Sequence, residues 1–177
     1  RDNNNEYKPL VKVFKWWRRH NCPEDKKYPK GITLEKIIAD NLGDSSLSTE
    51  DFLIATIQNI ISSYKDDYVD EGVNPTIDDP SEKVENNDLL NGYSIDDFAS
   101  FVEKLEEHAT LLNEEGTSNE TWRKILGTEF PKDSTTNNSL VLSNFQMCVQ
   151  ATHKQRPKWP MQRGGAAFVS VKVANRY

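Results

Sequence analysis

Two lysines and a helix start near the beginning of the chain have the residue types and spacing that suggest chemistry. Lys12 and Lys15 are three residues apart, so on a helix they share one face, which Arg18 or Arg19 would extend into a cationic ridge. Lysine offers a point charge to a phosphate oxygen, and the free amides at a helix start near Gly31 would add donors. The pattern predicts a polyphosphate-binding ridge. The alternative is that these lysines only lie along the edge of a core helix.

Charge is distributed unevenly along the 177 residues, whose net charge is −6. Residues 1–36 hold ten Lys or Arg and five Asp or Glu, residues 66–115 hold two and sixteen, and residues 150–177 hold six and none. The basic N-terminal block can meet phosphates, whereas the acidic middle would repel them or form solvated helix faces. The negative net charge and the lack of a base-reading motif argue against nucleic acid as a partner.

Composition also limits the cellular setting. No apolar run approaches the length of a membrane span, and no signal peptide is visible, so we expect no membrane partner. Cys22 and Cys148 have no metal-ligand spacing, which predicts free thiols in a reducing cytosol and a cytoplasmic protein. The polar start without Met indicates a fragment of a longer protein.

Residues that could perform catalysis are scarce. The chain contains no Walker loop, nucleophile elbow or zinc-protease motif. His20, His108 and His153 are isolated from one another, and we expect each at a surface or interface rather than on a metal. Asp78 and Asp79 could hold a metal, but adjacent carboxylates before a proline are more often turn formers. The sequence therefore predicts no catalytic residue and no metal site in this chain.

Apolar periodicity predicts a mainly α fold of about five helices. The predicted helices span residues 7–20, 32–41, 48–67, 94–115 and 118–126. Gly43 is expected to close the second helix as a C-cap glycine. Capping signatures at Ser48 and Ser94 start the two long helices, and residues 68–92 between them predict a long ordered loop.

The composition changes after residue 131. A polar linker with a short helix or turn is expected over 132–152, and repeated Pro and Gly follow. Residues 167–173 alternate with strand period, and this strand has no partner in the chain. We therefore expect residues 153–177 to begin a second domain that is cut off.

Several segments in order resemble the helical half of the CD-NTases. These are bacterial cGAS/DncV-like nucleotidyltransferases related to oligoadenylate synthetase and to cyclic dinucleotide synthases. Each motif is weak alone, and together they cover roughly residues 7–165. The matching segments are 11–18 (VKVFKWWR), 28–35 (YPKGITLE), 74–80, 86–94, 98–113, 122–127 with Phe130-Pro131, 153–160 and 163–165.

The resemblance implies a polymerase-beta-like enzyme of two lobes. A catalytic sheet with a Gly-Ser signature and three carboxylates would bind two Mg²⁺ or Mn²⁺ ions, and a helical lobe would close over the triphosphate. Residues 1–131 look like that helical lobe, and 153–177 look like the start of a C-terminal AGS-C sensor domain. The Gly-Ser signature and its Asp-x-Asp are absent from this chain, so the fragment alone is expected to be inactive and its metal ions to bind elsewhere.

By the same resemblance, the parent protein would join NTPs into a cyclic or linear oligonucleotide messenger for anti-phage defence. The missing N-terminal catalytic lobe and regulatory or effector proteins would be its partners. Lys15 matches the lobe's triphosphate-binding lysine, with Lys12 as the alternative. Gly31 stands where the family often has Ser, so it would offer only a backbone amide. Trp16 and Trp17 are expected to pack in the core rather than stack on a base.

A different class of function stays open on the sequence alone. The chain would then be a non-catalytic helical protein-interaction module, in which the acidic middle meets a basic partner. A Gly-Ser motif and an Asp-x-Asp on strands upstream of this sequence would distinguish the enzyme from the module. The loop around Asp79-Pro80 is expected to be a structural latch across the lobe rather than a nucleotide reader.

Overall fold

A computed structural model describes residues 7–81 and 87–130, which form a bundle of α-helices. No strand occurs in this part of the chain, where an isolated antiparallel bridge joins Asp78 and Asp88. The prediction of a mainly α lobe is confirmed. None of the described helices is long and apolar enough to cross a membrane. The helices are α1 (Tyr7–Asn21), α2 (Ile32–Asp40), α3 (Thr49–Tyr64), α4 (Ile95–Glu115) and α5 (Asn119–Leu126).

Some of the predictions fall outside these described residues. They concern the linker and short helix over 132–152, the start of a sensor domain over 153–177 and the strand over 167–173. The same holds for Cys148 and His153. These stay predictions.

Serine side chains start the last three helices. The Ser48 hydroxyl accepts a hydrogen bond from the Asp51 amide at 3.2 Å. Ser94 and Asp97 form a reciprocal capping box, as the motif predicted. The Ser118 hydroxyl accepts from the Thr121 amide at 3.2 Å and caps α5. Each cap satisfies amides that the first helical turn leaves without a partner, so these helix starts are fixed by local sequence.

The end of α2 differs from the prediction that Gly43 would cap it. The C-cap is Asn41, whose amide donates to the Ile38 carbonyl at 3.2 Å. Gly43 instead lies against α3, where its amide donates to the Thr56 hydroxyl at 3.1 Å. A Cβ at Gly43 would come within 2.8 Å of the Ala55 Cβ, so close helix approach explains this glycine.

The end of α3 also differs from the sequence expectation of a helix to about Asp67. The α-helical part ends at Tyr64, and Lys65–Val69 continue as one π-helical turn. Lys65 forms an ion pair with Glu106 on α4. The Tyr64 ring meets the Phe98 ring edge-on at 5.3 Å. Packing against α4 therefore accompanies the change of helical pitch, which the apolar spacing alone did not indicate.

Aromatic packing fixes the orientation of α1. Trp17 is buried, its ring stacking on Tyr28 at 6.0 Å and meeting the edge of Phe101 at 5.8 Å. Leu10 and Phe14 lie on the same face of α1 and are also buried. Because this face is held in the core, the opposite face of α1 is held toward solvent.

His108 contradicts the expectation that it lies at a surface or interface. It is 4% exposed, and its Nδ1 accepts a hydrogen bond from Trp17 Nε1 at 2.7 Å. Burial lowers the pKa of His108 to about 4, so the ring is neutral near pH 7. His108 follows Phe101 and Leu105 at helical spacing, and it belongs to the same buried stripe of α4.

The loop around Asp79 packs against the start of α2, as expected of a structural latch. The Leu89 amide donates to the Ile77 carbonyl at 2.8 Å, which joins the two arms of the loop. Thr33 of α2 donates through its hydroxyl to the Leu89 carbonyl at 3.1 Å. Asp79 accepts from the Ser81 amide at 2.8 Å, and this bond lowers its pKa. Asp79 is thus a turn former, as one of the two sequence interpretations proposed.

Candidate functional site

The exposed face of α1 carries a row of four cations, which we call the basic stripe: Lys8, Lys12, Lys15 and Arg19. Their spacing of four, three and four residues places them within about 60° around the helix axis. Arg18, the alternative end of the predicted ridge, does not belong to the stripe because its Nε donates to the Pro29 carbonyl at 3.1 Å. The structure thus extends the predicted ridge through Arg19.

Lys15 joins the basic stripe to α2. Its Nζ lies 2.5 Å from Glu35 Oε1, and the two side chains are 40% and 35% exposed. Glu35 lies in the first turn of α2. In the part of the chain that the structure describes, no other member of the stripe has an ion-pair partner. The predicted phosphate lysine is therefore both accessible to solvent and beside a helix start.

The start of α2 has no side-chain cap. Gly31 occupies the N-cap position with φ 58° and ψ −131°, a conformation that side-chain-bearing residues rarely adopt. Gly31 and the following Ile32 are exposed, with Ile32 at 52%. The start of α2 is therefore open to solvent, and the contribution of the Gly31 amide to phosphate binding stays a prediction.

Tyr7 fixes the relative position of α1 and α2. Its hydroxyl donates to the backbone carbonyl of Glu35 at 3.1 Å. Burial, followed by the nearby charges of Glu35 and Asp40, raises the pKa of Tyr7 above its ordinary value. The hydroxyl therefore stays protonated near neutral pH and keeps donating.

Lys12 lies on the same face of α1 as Lys15 and is exposed.

The two tryptophans of α1 are used in packing, as predicted. Trp17 lies in the core, and Trp16 is half-buried with its Nε1 donating to the Leu126 carbonyl at 2.8 Å. Both indole donors are thus occupied by protein groups.

No metal site occurs within residues 7–81 and 87–130, where no group of three or more His, Cys, Asp or Glu side chains could hold an ion. At the α1–α2 junction the carboxylates of Glu35 and Asp40 are each paired with a lysine, which leaves no cluster of oxygen ligands of the kind that Mg²⁺ requires. The described residues therefore do not fit a divalent cation at this junction.

The sequence patterns assigned no role to Glu35, which lies in the 28–35 segment. One signal could have indicated it. Glu35 lies four residues after Gly31, so it belongs to the first turn of the predicted helix, where acidic side chains are favoured. That Glu35 reaches Lys15 depends on how α1 packs on α2, and no local pattern reports this.

No family model matches this chain. Individual proteins are nevertheless similar to this chain. A cyclic AMP-AMP-AMP synthase from Acinetobacter sp. is 33% identical over 178 residues, which cover 93% of this chain and 50% of that protein. A probable cyclic AMP-AMP-GMP nucleotide synthase from Salmonella paratyphi B is 35% identical over 134 residues. A cyclic AMP-AMP-GMP synthase from Enterobacter hormaechei subsp. hoffmannii is 29% identical over the same length.

The latter two matches each cover 72% of this chain and 34% of the relative. The chain thus spans between a third and a half of the length of these relatives. All three are named as synthases of cyclic trinucleotides, in agreement with the resemblance carried by the helical motifs. The chain belongs to the CD-NTase family of nucleotidyltransferases.

Proposed function

We propose that this chain is the helical lobe of an enzyme that joins NTPs into a cyclic or linear oligonucleotide messenger. The relatives are named for cyclic products built from AMP and GMP, which supports this substrate class. The catalytic carboxylates and their Mg²⁺ or Mn²⁺ ions would lie outside this chain, and the fragment alone would be inactive. A role in anti-phage defence and activation of an effector by the product belong to the same proposal.

One observation supports a phosphate-binding role for this lobe. Lys15 pairs with Glu35 in the first turn of α2, and the N-cap Gly31 of that turn makes no side-chain hydrogen bond, so a cationic side chain lies within one turn of a helix start that could bind an anion. A triphosphate carries several negative charges and would meet both kinds of donor there. We assign Lys15 as the principal contact, with Lys12 and the Gly31 amide as supporting contacts.

Nucleotide turnover by the full-length protein tests this function. The protein is incubated with all four NTPs and Mg²⁺ or Mn²⁺, and pyrophosphate and oligonucleotide products are measured. Lys15→Ala should reduce both sharply. Lys36→Ala is the matched control, because Lys36 also lies 2.5 Å from a carboxylate, Asp40, but pairs within α2.

The results separate the parts of the proposal. Product formation that Lys15→Ala leaves unchanged would keep the enzyme and discard the role of Lys15. No product with either metal, and no activation by added cell extract or purified partner candidates, would reject the enzyme.

The acidic face of α4 favours the second candidate function, a non-catalytic interaction module. Glu103, Glu106, Glu107 and Glu114 line a surface groove of about 460 Å³. Two of these carboxylates are already paired, Glu106 with Lys65 and Glu107 with Lys104. A basic partner on this face would be the finding that supports the module if turnover fails.

A further inference from the structure

Within the basic stripe, the lysine expected to bind phosphate is the one whose charge is already compensated. Glu35 Oε1 lies 2.5 Å from Lys15 Nζ, whereas Lys8, Lys12 and Arg19 have no ion-pair partner among the described residues. An arriving phosphate would therefore meet Lys15 with a carboxylate already bound to it. Phosphate and carboxylate oxygens would compete for the same ammonium group.

Glu35 can give up this pair without loss of the local fold. The backbone carbonyl of Glu35 accepts from the Tyr7 hydroxyl, so α2 keeps a second link to α1 when the carboxylate leaves Lys15. The Glu35 side chain is 35% exposed, so solvent can hydrate the carboxylate when it turns away. The pair is thus exchangeable, as expected of a partly exposed ion pair, which holds its partners only weakly.

We propose that Glu35 is an internal counter-ion that occupies Lys15 in the nucleotide-free protein and that a polyphosphate must displace. This inference rests on the proposed phosphate-binding role of Lys15 and names a residue that limits its affinity. A carboxylate that stays near the bound anion also repels it. Glu35 therefore weakens phosphate binding, and its return to Lys15 accompanies release of the anion.

The proposal predicts the sign of a binding change, which a purely structural role for Glu35 would reverse. Isothermal titration of the full-length protein with ATP and with inorganic tripolyphosphate measures the affinity. Glu35→Gln keeps the shape of the side chain and removes its charge. It should tighten both ligands by about threefold to tenfold, since one repulsive charge and one competing partner are lost. If Glu35 only supported the fold, the same variant would bind more weakly.

Two further variants isolate the mechanism. Glu115→Gln makes the same change of charge in a similarly exposed pair, Glu115 with Lys124 at 2.6 Å between α4 and α5, and it should leave both affinities unchanged. Tyr7→Phe removes the tether at the Glu35 carbonyl but keeps the ion pair, and it should not tighten binding. Thermal unfolding of each variant confirms that a change in affinity does not come from loss of fold.

The combination with Lys15→Ala distinguishes failure of this inference from failure of the proposed function. In the Lys15→Ala background, Glu35→Gln should increase the affinity for ATP and tripolyphosphate much less, because the competition for Lys15 no longer exists. Weaker binding in Lys15→Ala, together with unchanged or weaker binding in Glu35→Gln, would overturn the counter-ion and keep the phosphate lysine. Wild-type affinity in Lys15→Ala would overturn both.

Discussion

The two faces of α1 have opposite chemistry although they share fifteen residues. One face packs Leu10, Phe14 and Trp17 into a core of aromatic rings. The other face displays the basic stripe to solvent, with the Glu35 carboxylate beside Lys15. Because the buried face holds the helix in place, the exposed face is free to carry charges that add little to stability.

This difference predicts which substitutions in α1 should change the stability of the fold and which should change ligand binding. Changes on the buried face remove packing and hydrogen bonds that the fold needs. Changes on the basic stripe remove charges that water already solvates, and their effect on the free energy of unfolding should be small. Comparing the two faces in one protein tests whether the stripe serves a ligand rather than the fold.

The largest effect is expected from Trp17→Ala. The substitution leaves a cavity beside Phe101 and Tyr28 and removes the donor to His108 Nδ1. Loss of a buried aromatic side chain costs about 3 to 5 kcal/mol in the free energy of unfolding. Urea unfolding followed by circular dichroism measures it. Trp16→Ala, half-buried and bonded to a carbonyl, is the matched control and should cost clearly less. Equal costs would contradict the assignment of the two faces.

The next effect is a pH dependence that originates in the buried face. His108 has a folded pKa of about 4, below its ordinary value of 6.5, because burial disfavours the charged ring. Its contribution is fully present above pH 6.5 and is lost as pH falls toward 4, where the unfolded state binds the proton first. The loss is about 3 kcal/mol, from about 1.4 kcal/mol per pH unit.

Unfolding measured in urea between pH 7 and pH 4 checks this loss. The groups that modify the His108 pKa are Lys104, which lowers it, and Glu107, which raises it. His108→Gln retains an acceptor for Trp17 and does not titrate, so its stability should fall less over the same range. If the free energy of unfolding fell equally with pH in the wild type and in His108→Gln, the His108 ring would not be the group whose titration causes the loss.

These two predictions rest on contacts that the sequence indicated to different degrees. Helix existence followed from apolar spacing and from Ser48 and Ser94, whose capping patterns are local and therefore readable. The buried state of Trp17 followed in the same way from its position on the apolar face. These features depend on neighbours within a few residues, and so one sequence suffices to predict them.

The features of the fold and of the site that the sequence did not predict depend on contacts between distant segments. His108 is separated from Trp17 by 91 residues, and an isolated histidine gives no sign that a tryptophan will meet it. Glu35 reaches Lys15 only because α1 and α2 cross at that point. Gly43 resembled a C-cap, yet it is explained by the approach of Ala55. Tertiary packing decided each case, and local periodicity does not encode it.

A smaller effect is expected from two glycines beside α1, Gly127 at the end of α5 and Gly31 at the start of α2. Gly127 has φ 94°, and a Cβ there would come within 2.9 Å of the His20 Nδ1 on α1. Gly31 has φ 58° but open space around it. Gly127→Ala should therefore cost about 1 to 3 kcal/mol, and Gly31→Ala, with backbone strain alone, about 1 kcal/mol. Urea unfolding of both variants measures the difference, and a greater loss for Gly31→Ala would contradict the steric account.

The smallest change in stability, within about 0.5 kcal/mol, is expected from Lys12→Ala, because Lys12 is exposed and has no ion-pair partner in the described part of the chain. Its effect should appear in binding instead. Loss of one cation from the stripe should weaken tripolyphosphate binding by about twofold and make that affinity less sensitive to salt. Titration at low and high salt measures both. Lys104→Ala, on α4 and paired with Glu107, is the control that should change neither. If Lys12→Ala lowered stability as much as a core substitution, the exposed face of α1 would be serving the fold, and the separation between the two faces would fail.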